Sequence, residues 1–333
     1  MGHSIAAGET SKSIFIPIID DSYHEAFETF KVILSGPTGG DLGSPSAVTV
    51  AINDNDPVNG PNPIEQANFF VRQHYIDFLN REPDASGLAF WSNQITECQQ
   101  PGATCNATVR RINVSAAFFL SIEFQETGYL VERLYKTAYG DASGTSNFGP
   151  AHQLAVPIVR LNEFLPDTQE IGRGLVVGQT GWEQVLENNK VAFILQFVQR
   201  SRFSTSYSAL LTPAQFVDQL FANAGVTPTP AERTVAINEF GGAATSNDNA
   251  ARARSLRLVA ENSTLNQNEK NRAFVLTQYF GYLRRNPDDP QDTDYSGYDF
   301  WLTKLNQFNG NFVNADMVQA FIDSGEYRGR FGP

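Results

Sequence analysis

The pattern of hydrophobic and polar positions divides the chain into a short β-rich start and a long helical remainder. Residues 12–19, 27–35 and 47–53 alternate or run apolar with Ile, Val, Phe and Thr, which predicts three strands. From residue 69 onward, side chains recur on one face at helical spacing. The sequence therefore predicts a mainly α protein of stacked helical repeats, with a small N-terminal antiparallel β-sandwich fragment.

The helical region contains a long motif that occurs clearly twice. Residues 70–91 and 274–301 each run through an amphipathic helix, an Arg-x-Pro-Asp turn, a Ser-Gly pair and a helix start with an aromatic residue and Trp. Similar endings follow, FLSIEF at 119–124 and FIDSGEY at 321–327. Repetition of this kind indicates stacked supersecondary units and argues against a single catalytic core.

Fainter copies between these two predict four helical units in all. We expect one continuous stack, because each closing helix runs directly into the next opening helix. Loops rich in Gly, Ser, Asn and Pro are predicted at 140–150, 226–230 and 241–249. The predicted divisions are a β segment at 1–56, a linker at 57–68, and a helical region at 69–333 with units at 69–130, 130–207, 214–264 and 272–333.

Charge and hydropathy exclude some classes of function. The 333 residues carry a net charge of −12, which disfavours nucleic-acid binding because that depends on Lys and Arg neutralising phosphates. No apolar run reaches the length of a membrane span, so we expect no membrane insertion. The first residues lack the apolar core of a signal peptide. Since the rest of the chain has the character of an exported protein, we expect that its first residue is not the natural start.

The two cysteines, Cys98 and Cys105, flank the turn-forming stretch Gln-Gln-Pro-Gly-Ala-Thr. This spacing favours a short-loop disulfide and an oxidising compartment. The alternative is a pair of reduced thiols. Zinc is disfavoured, because the four histidines are scattered and none has ligand spacing to the pair.

The β segment carries IIDDS at 18–22, LSGPT at 34–38 and INDND at 52–56. These residues resemble the C-terminal half of a Calx-beta domain, an immunoglobulin-like sandwich. The resemblance implies calcium sites built from acidic side chains, and the family's opening strands, which add ligands, are missing here. The alternative is a solvated acidic rim on a spacer domain. The matching positions are Asp20, Asp21, Glu25, Glu28, Asp54 and Asp56.

The helical region carries Tyr75, Arg81-Glu-Pro-Asp84, Gly87 and Trp91, followed by the ending at 119–124. This motif resembles a bacterial domain of unknown function related to phycobilisome linker domains. The resemblance implies an extracellular or cell-surface location and supplies no enzymatic activity. The second unit departs from the motif, because Leu165-Pro-Asp-Thr168 stands without the arginine, and the third lacks the Trp.

The fourth unit holds the best local candidate for a Ca²⁺ site. Asp292, Asp294 and Ser296 are spaced like positions 1, 3 and 5 of a calcium loop, with Gly297 at position 6. Thr303 replaces the expected Glu at position 12. The alternative is that these side chains cap the following helix, which is the role that we predict for Asp84 and Ser86 in the first unit.

The motif arginines have a structural interpretation. Arg81 and Arg285 each precede the Pro-Asp turn, from which a guanidinium can bridge to a carboxylate of the unit's ending. We therefore predict pairs between Arg81 and Glu123 and between Arg285 and Glu326.

Nothing in the sequence singles out a catalytic constellation. We therefore expect a non-enzymatic extracellular or cell-surface protein for assembly, adhesion or scaffolding. The apolar rows and open edge of the β segment predict that strands from another chain complete its sandwich, by self-assembly or with a protein partner. The alternative is a carbohydrate-binding or carbohydrate-active protein acting on extracellular polysaccharide, since carboxylate pairs are abundant.

Overall fold

The computed structural model describes residues 28–37, 40–53 and 62–332. Within these ranges the protein is mainly α, which confirms the predicted fold class, and its strands form two antiparallel pairs. The helices are α1 (Ala67–Leu79), α2 (Ala85–Thr96), α3 (Ala107–Phe119), α4 (Ile122–Tyr139), α5 (Leu161–Ile171), α6 (Trp182–Phe197), α7 (Ser201–Ser206), α8 (Pro213–Ala224), α9 (Pro230–Asn238), α10 (Asn249–Ala260), α11 (Ser263–Gln278), α12 (Ser296–Gln307), α13 (Met317–Ile322) and α14 (Gly325–Arg328).

The described residues divide into two compact parts. An N-terminal part comprises the residues up to 63 together with 331 and 332, and a helical body comprises residues 64–330. Among the residues that the structure describes, no helix is long and apolar enough to cross a bilayer.

The N-terminal part contains a β-hairpin. Strands β1 (Glu28–Ile33) and β2 (Ala47–Ile52) pair antiparallel, with Val32 opposite Val48. Because side chains alternate between the faces of a strand, Phe30, Val32, Val48 and Val50 share one apolar face. The hairpin confirms two of the three predicted strands, and the third, at 12–19, lies outside the described residues.

The two clear copies of the motif end their first helices in the same way. Asn80 follows α1 with a φ of 53°, and Arg284 follows the π-helical turn Tyr279–Leu283 with a φ of 54°. In both copies the backbone N–H of this left-handed residue donates to the carbonyl oxygen of a tyrosine, Tyr75 or Tyr279. This left-handed step closes the helix end and turns the chain towards the Arg-x-Pro-Asp segment.

The glycine of the Ser-Gly pair is explained by a tyrosine that lies over it. A Cβ atom on Gly87 would stand 2.4 Å from the Tyr75 hydroxyl, and one on Gly297 would stand 2.5 Å from the Tyr279 hydroxyl. Both separations are far below van der Waals contact, so a larger residue would push the two helices of the unit apart.

Helix α4 belongs to two units at once. It begins at the Ser121 N-cap, whose side chain accepts from Phe124 N–H, and runs without interruption to Tyr139. Its start completes the first unit and its end opens the second. At this junction the closing helix therefore runs directly into the next opening helix, while the division of the helical region into four units stays a prediction.

The predicted loop at 140–150 is wrong, because it contains most of a second β-hairpin. Strand β3 (Asp141–Ser146) pairs antiparallel with β4 (His152–Pro157). The sequence Asp-Ala-Ser-Gly-Thr-Ser has little intrinsic strand preference, which is why the pattern indicated a loop. Contacts with the fourth unit stabilise the strand, since Tyr295 N–H donates to Thr145 O at 2.8 Å.

The first and fourth units pack directly against each other inside the helical body. The rings of Phe78 and Tyr282 meet edge to face at a centroid distance of 5.1 Å, and Phe119 meets Phe274 in the same manner at 5.0 Å. The order of the units in space therefore differs from their order in the sequence, because the two clear copies bury their aromatic faces together.

A buried chain of polar groups crosses this junction. His74 Nδ1 lies 2.7 Å from Phe70 O, His74 Nε2 lies 2.6 Å from Ser115 Oγ, and Ser115 Oγ contacts the Tyr282 hydroxyl. A carbonyl oxygen can only accept, so Nδ1 carries the proton. Burial lowers the pKa of His74 from 6.5 to about 4, so the imidazole is neutral near pH 7. The unprotonated Nε2 then accepts from the Ser115 hydroxyl.

This pKa predicts acid sensitivity. Below about pH 6.5 the unfolded chain binds a proton at His74 that the folded protein excludes until about pH 4, so stability present above that window is lost as pH falls. Between pH 7 and pH 5 we expect His74 to account for a loss of about 2 kcal/mol in the free energy of unfolding, measured by urea denaturation. His74→Gln should remove this component. An equal loss in the variant and the wild type would contradict the assignment.

Candidate functional site

The best-defined polar site is an ion pair that both clear units repeat, here called the Arg–Glu clasp. In the first unit Arg81 Nε lies 2.8 Å from Glu123 Oε1, and Arg81 Nη2 lies 2.9 Å from Glu123 Oε2. In the fourth unit the corresponding distances between Arg285 and Glu326 are 2.5 and 3.0 Å. Both predicted pairs are confirmed, and both have the two-pronged geometry that only a guanidinium provides.

Each clasp rests on an aromatic ring. The guanidinium carbon of Arg81 lies 4.9 Å from the ring centroid of Tyr75, and that of Arg285 lies 5.4 Å from the ring of Tyr279. Burial alone would lower the pKa of Arg81, but the hydrogen bonds and charge of Glu123 outweigh it and raise the pKa. The arginine is therefore held as a cation that fixes the turn to the start of α4.

A small cleft of about 180 Å³ lies beside the clasp of the first unit. It combines aromatic and aliphatic walls with the charged clasp. Its lining residues are Tyr75, Leu79, Arg81, Trp91, Ala117, Phe118, Ser121, Ile122, Glu123 and Val177.

The second unit builds a related ion pair from different sequence positions. Asp167 accepts from Arg200 Nη1 at 2.8 Å and Nη2 at 2.7 Å, and from the Tyr135 hydroxyl at 2.9 Å. Arg200, which follows α6, therefore takes the place of the arginine that is missing before Asp167. The sequence pattern did not predict this pair, because Arg200 lies outside the repeated motif.

This pair borders a wider cleft of about 500 Å³, which also contains Tyr139, Glu163 and Arg202. Arg202 Nη1 donates to Glu163 Oε1 at 2.6 Å, so both carboxylates of the cleft are paired with arginines. The arrangement does not present a free acid and base, which a glycosidase requires. The carbohydrate-active alternative stays a prediction.

The cysteines form the predicted disulfide. Cys98 and Cys105 are bonded at an S–S distance of 2.02 Å, and the bridge closes the turn between the short 3₁₀ segment Glu97–Gln99 and α3. Asp84 is the N-cap of α2 and accepts from Gly87 N–H, which confirms its predicted capping role.

The candidate calcium residues of the fourth unit have protein partners. Asp292 accepts from Arg285 Nη2 at 2.8 Å, and Asp294 accepts from Ser296 N–H at 2.9 Å. The Ser296 hydroxyl in turn accepts from Asn147 N–H at 2.7 Å. Among the described residues, no group of three or more His, Cys, Asp or Glu side chains is placed to hold a metal ion. Calcium at this loop stays a prediction.

The candidate residues of the β segment cannot be compared in this way. Glu28 is the first residue of β1, but its side chain lies outside the described part of the chain. The other five candidate residues lie entirely outside it, namely Asp20, Asp21, Glu25, Asp54 and Asp56.

Comparison with known families covers the first of the four units. Residues 64–128 match the model of a domain of unknown function, DUF4214. The match extends from just before α1 into α4, and so includes the Arg81–Glu123 clasp, the disulfide and the cleft beside Trp91. No curated protein and no solved structure matches the chain significantly.

The DUF4214 match agrees with the family of unknown function that the motif resembles. It does not bear on the resemblance to Calx-beta or phycobilisome linker domains. The fourth unit lies outside the match, yet its clasp repeats that of the first unit atom for atom.

The buried clasp predicts a large cost for removing one partner. The Glu123 side chain is only 5% exposed, so Arg81→Ala leaves a carboxylate without its counter-ion. We expect a loss of about 3 kcal/mol in the free energy of unfolding, measured by urea denaturation.

The matched control is a pair with similar geometry on the surface. Arg233 binds both oxygens of Asp218, at 2.6 and 2.8 Å, with side chains 40% and 52% exposed. Arg233→Ala should cost less than about 1 kcal/mol. Equal costs for the two substitutions would show that the Arg81 clasp does not hold the unit together.

Proposed function

We propose that this protein is a non-enzymatic extracellular or cell-surface protein that serves assembly, adhesion or scaffolding. The observation that carries the proposal is the use of the repeated motif. Arg81 and Glu123 bind each other, as do Arg285 and Glu326, and the capping serines bind backbone N–H groups. The polar residues that the two copies share thus connect the helices of each unit, which favours a structural role over a catalytic one.

The apolar face of the β1–β2 hairpin supports assembly. Val48 is 54% exposed on the face that it shares with Phe30 and Val32, and Ile33 is 63% exposed on the other. A two-stranded hairpin is marginally stable alone and gains stability by pairing or packing with further strands. We propose that a second copy of the chain supplies them, so that two hairpins bury their Phe30–Val32–Val48–Val50 faces together.

An extracellular location is part of the proposal. The Cys98–Cys105 disulfide supports it, because such bonds persist in oxidising compartments. Two resemblances support it as well: that of the β segment to a Calx-beta domain, and that of the helical units to a bacterial family of unknown function found in secreted and surface proteins. Calx-beta modules would place Ca²⁺ at the acidic residues near β1 and β2.

Assembly through the hairpin predicts a face-specific effect on oligomeric state. Light scattering should detect a dimer or larger species of the full chain, and deletion of residues 1–56 should yield a monomer. Val48→Lys, which places a charge on the apolar face, should have the same effect as the deletion.

Thr29→Lys is the matched control, because Thr29 is an exposed position on the opposite face of the same hairpin. It should leave the assembly unchanged. A full chain that stays monomeric at high concentration, or a Val48→Lys variant that assembles like the wild type, would refute the proposal.

Calcium binding predicts a shift in melting temperature. A ligand that binds only the folded state stabilises it, so millimolar Ca²⁺ should raise the melting temperature over that in excess chelator. Asp20→Asn with Asp21→Asn should remove the part due to the β segment, and Asp292→Asn with Asp294→Asn the part due to the fourth unit. Identical melting curves with Ca²⁺ and chelator would exclude both sites.

A further inference from the structure

The tip of the β3–β4 hairpin sits on the start of α12 in the fourth unit. Asn147 N–H donates to Ser296 Oγ at 2.7 Å, and Asn147 Nδ2 donates to Asp294 Oδ2 at 2.5 Å. Phe148 meets Phe300 edge to face, with ring centroids 5.4 Å apart. The Asp294 carboxylate just before α12, and the Ser296 hydroxyl and Phe300 ring within it, thus contact an Asn-Phe pair at the hairpin tip.

The first unit presents the same three features at the start of α2. Residues 84–91 align without gaps with 294–301, so Ser86 corresponds to Ser296, Phe90 to Phe300 and Asp84 to Asp294. The two Arg-x-Pro-Asp turns are not in register in this alignment, because the fourth unit has a longer segment between its turn, which ends at Asp288, and its Ser-Gly pair.

The aromatic geometry around these features is nearly the same in both units. Phe90 and Trp91 have ring centroids 4.9 Å apart, as do Phe300 and Trp301. Trp91 lies 6.0 Å from Phe118 at an interplanar angle of 45°, and Trp301 lies 5.7 Å from Phe321 at 46°. The aromatic part of the α2 surface therefore matches the part of α12 that packs against Phe148 in the fourth unit.

In the part of the chain that the structure describes, this surface of the first unit is open. Phe90 is 58% exposed, whereas Phe300 under Phe148 is 37% exposed. The Ser86 hydroxyl is engaged only locally, donating to Asp84 Oδ1 at 2.5 Å. The hydroxyl that accepts from the hairpin backbone in the fourth unit is thus exposed in the first.

The surroundings of the first-unit surface are also more apolar. Leu120 and Ile122 are 44% and 54% exposed, and Ile122 and Trp91 line the 180 Å³ cleft. The fourth unit has Asp323 and Gly325 at the equivalent positions. An exposed apolar cluster beside polar recognition groups is characteristic of a protein interaction site.

We infer that the α2 surface of the first unit, formed by Asp84, Ser86, Phe90 and the adjoining Trp91 cleft, binds a β-hairpin tip of a partner polypeptide. The tip carries an Asn followed by an aromatic residue. Its Asn amide donates to Asp84, its backbone N–H donates to Ser86 Oγ, and its aromatic ring packs edge to face on Phe90. This site is independent of the β1–β2 hairpin, so its failure leaves the proposed assembly untouched.

The probe is the hairpin of this chain itself. A head-to-tail cyclised peptide of residues 141–157, labelled with a fluorophore, presents Asn147 and Phe148 on a tip that cyclisation keeps folded. Fluorescence anisotropy with the full chain should show saturable binding at one site. Phe148→Ala in the peptide should weaken the affinity at least tenfold.

Variants of the protein locate the site. Phe90→Ala and Ser86→Ala should each weaken binding, the former at least tenfold, and both positions are exposed, so the fold should be retained in a circular dichroism melt. Leu210→Ala, at a side chain that is 82% exposed outside the site, should bind like the wild type.

Three results would overturn the inference. One is the absence of saturable binding at millimolar protein. The second is equal affinity for Phe90→Ala and wild type. The third is binding that Phe300→Ala abolishes while Phe90→Ala preserves it, since this would place the peptide on the fourth unit by displacement of the chain's own hairpin.

Discussion

A charge that helix packing removes from water must keep a partner, and this constraint organises the helical body. Glu123 reaches the interior because α4 begins there, and Arg81 meets it from the opposite end of the unit. The pair thereby fixes the turn after α1 to the α3–α4 junction, and Tyr75 fills the space beneath. In the second unit the buried Asp167 is paired in the same way with Arg200. The units therefore share a buried ion pair that packs on aromatic rings.

Aromatic packing joins the first unit to the fourth. Each unit buries one aromatic face within itself and offers Phe78 or Tyr282 to the other. The His74–Ser115 chain then satisfies polar groups that this packing traps beside the rings. A neutral imidazole suits that place, since it both donates and accepts while carrying no charge.

Local pattern predicted the features that depend on neighbours in the sequence. Helical spacing, the Asp84 cap, the disulfide and the Arg81–Glu123 pair all follow from residues within one unit. The β3–β4 hairpin was missed, because its residues have little intrinsic strand preference and are held by contacts with the fourth unit. The Arg200–Asp167 pair was missed, because the second unit takes its arginine from outside the motif. The contact of the fourth unit with the first was missed as well, because a repeat in sequence specifies the unit but not which units meet.

The Asp77 side chain is 2% exposed, and its two oxygens bind Arg330, which lies 253 residues further along the chain. The first unit therefore depends on a partner that is synthesised 253 residues after Asp77. Contacts of such long range slow folding, because loop-closure entropy must be overcome before they form. Until residue 330 is available, Asp77 and the aromatic face around Phe78 stay uncovered, and a nascent chain in this state needs protection from aggregation.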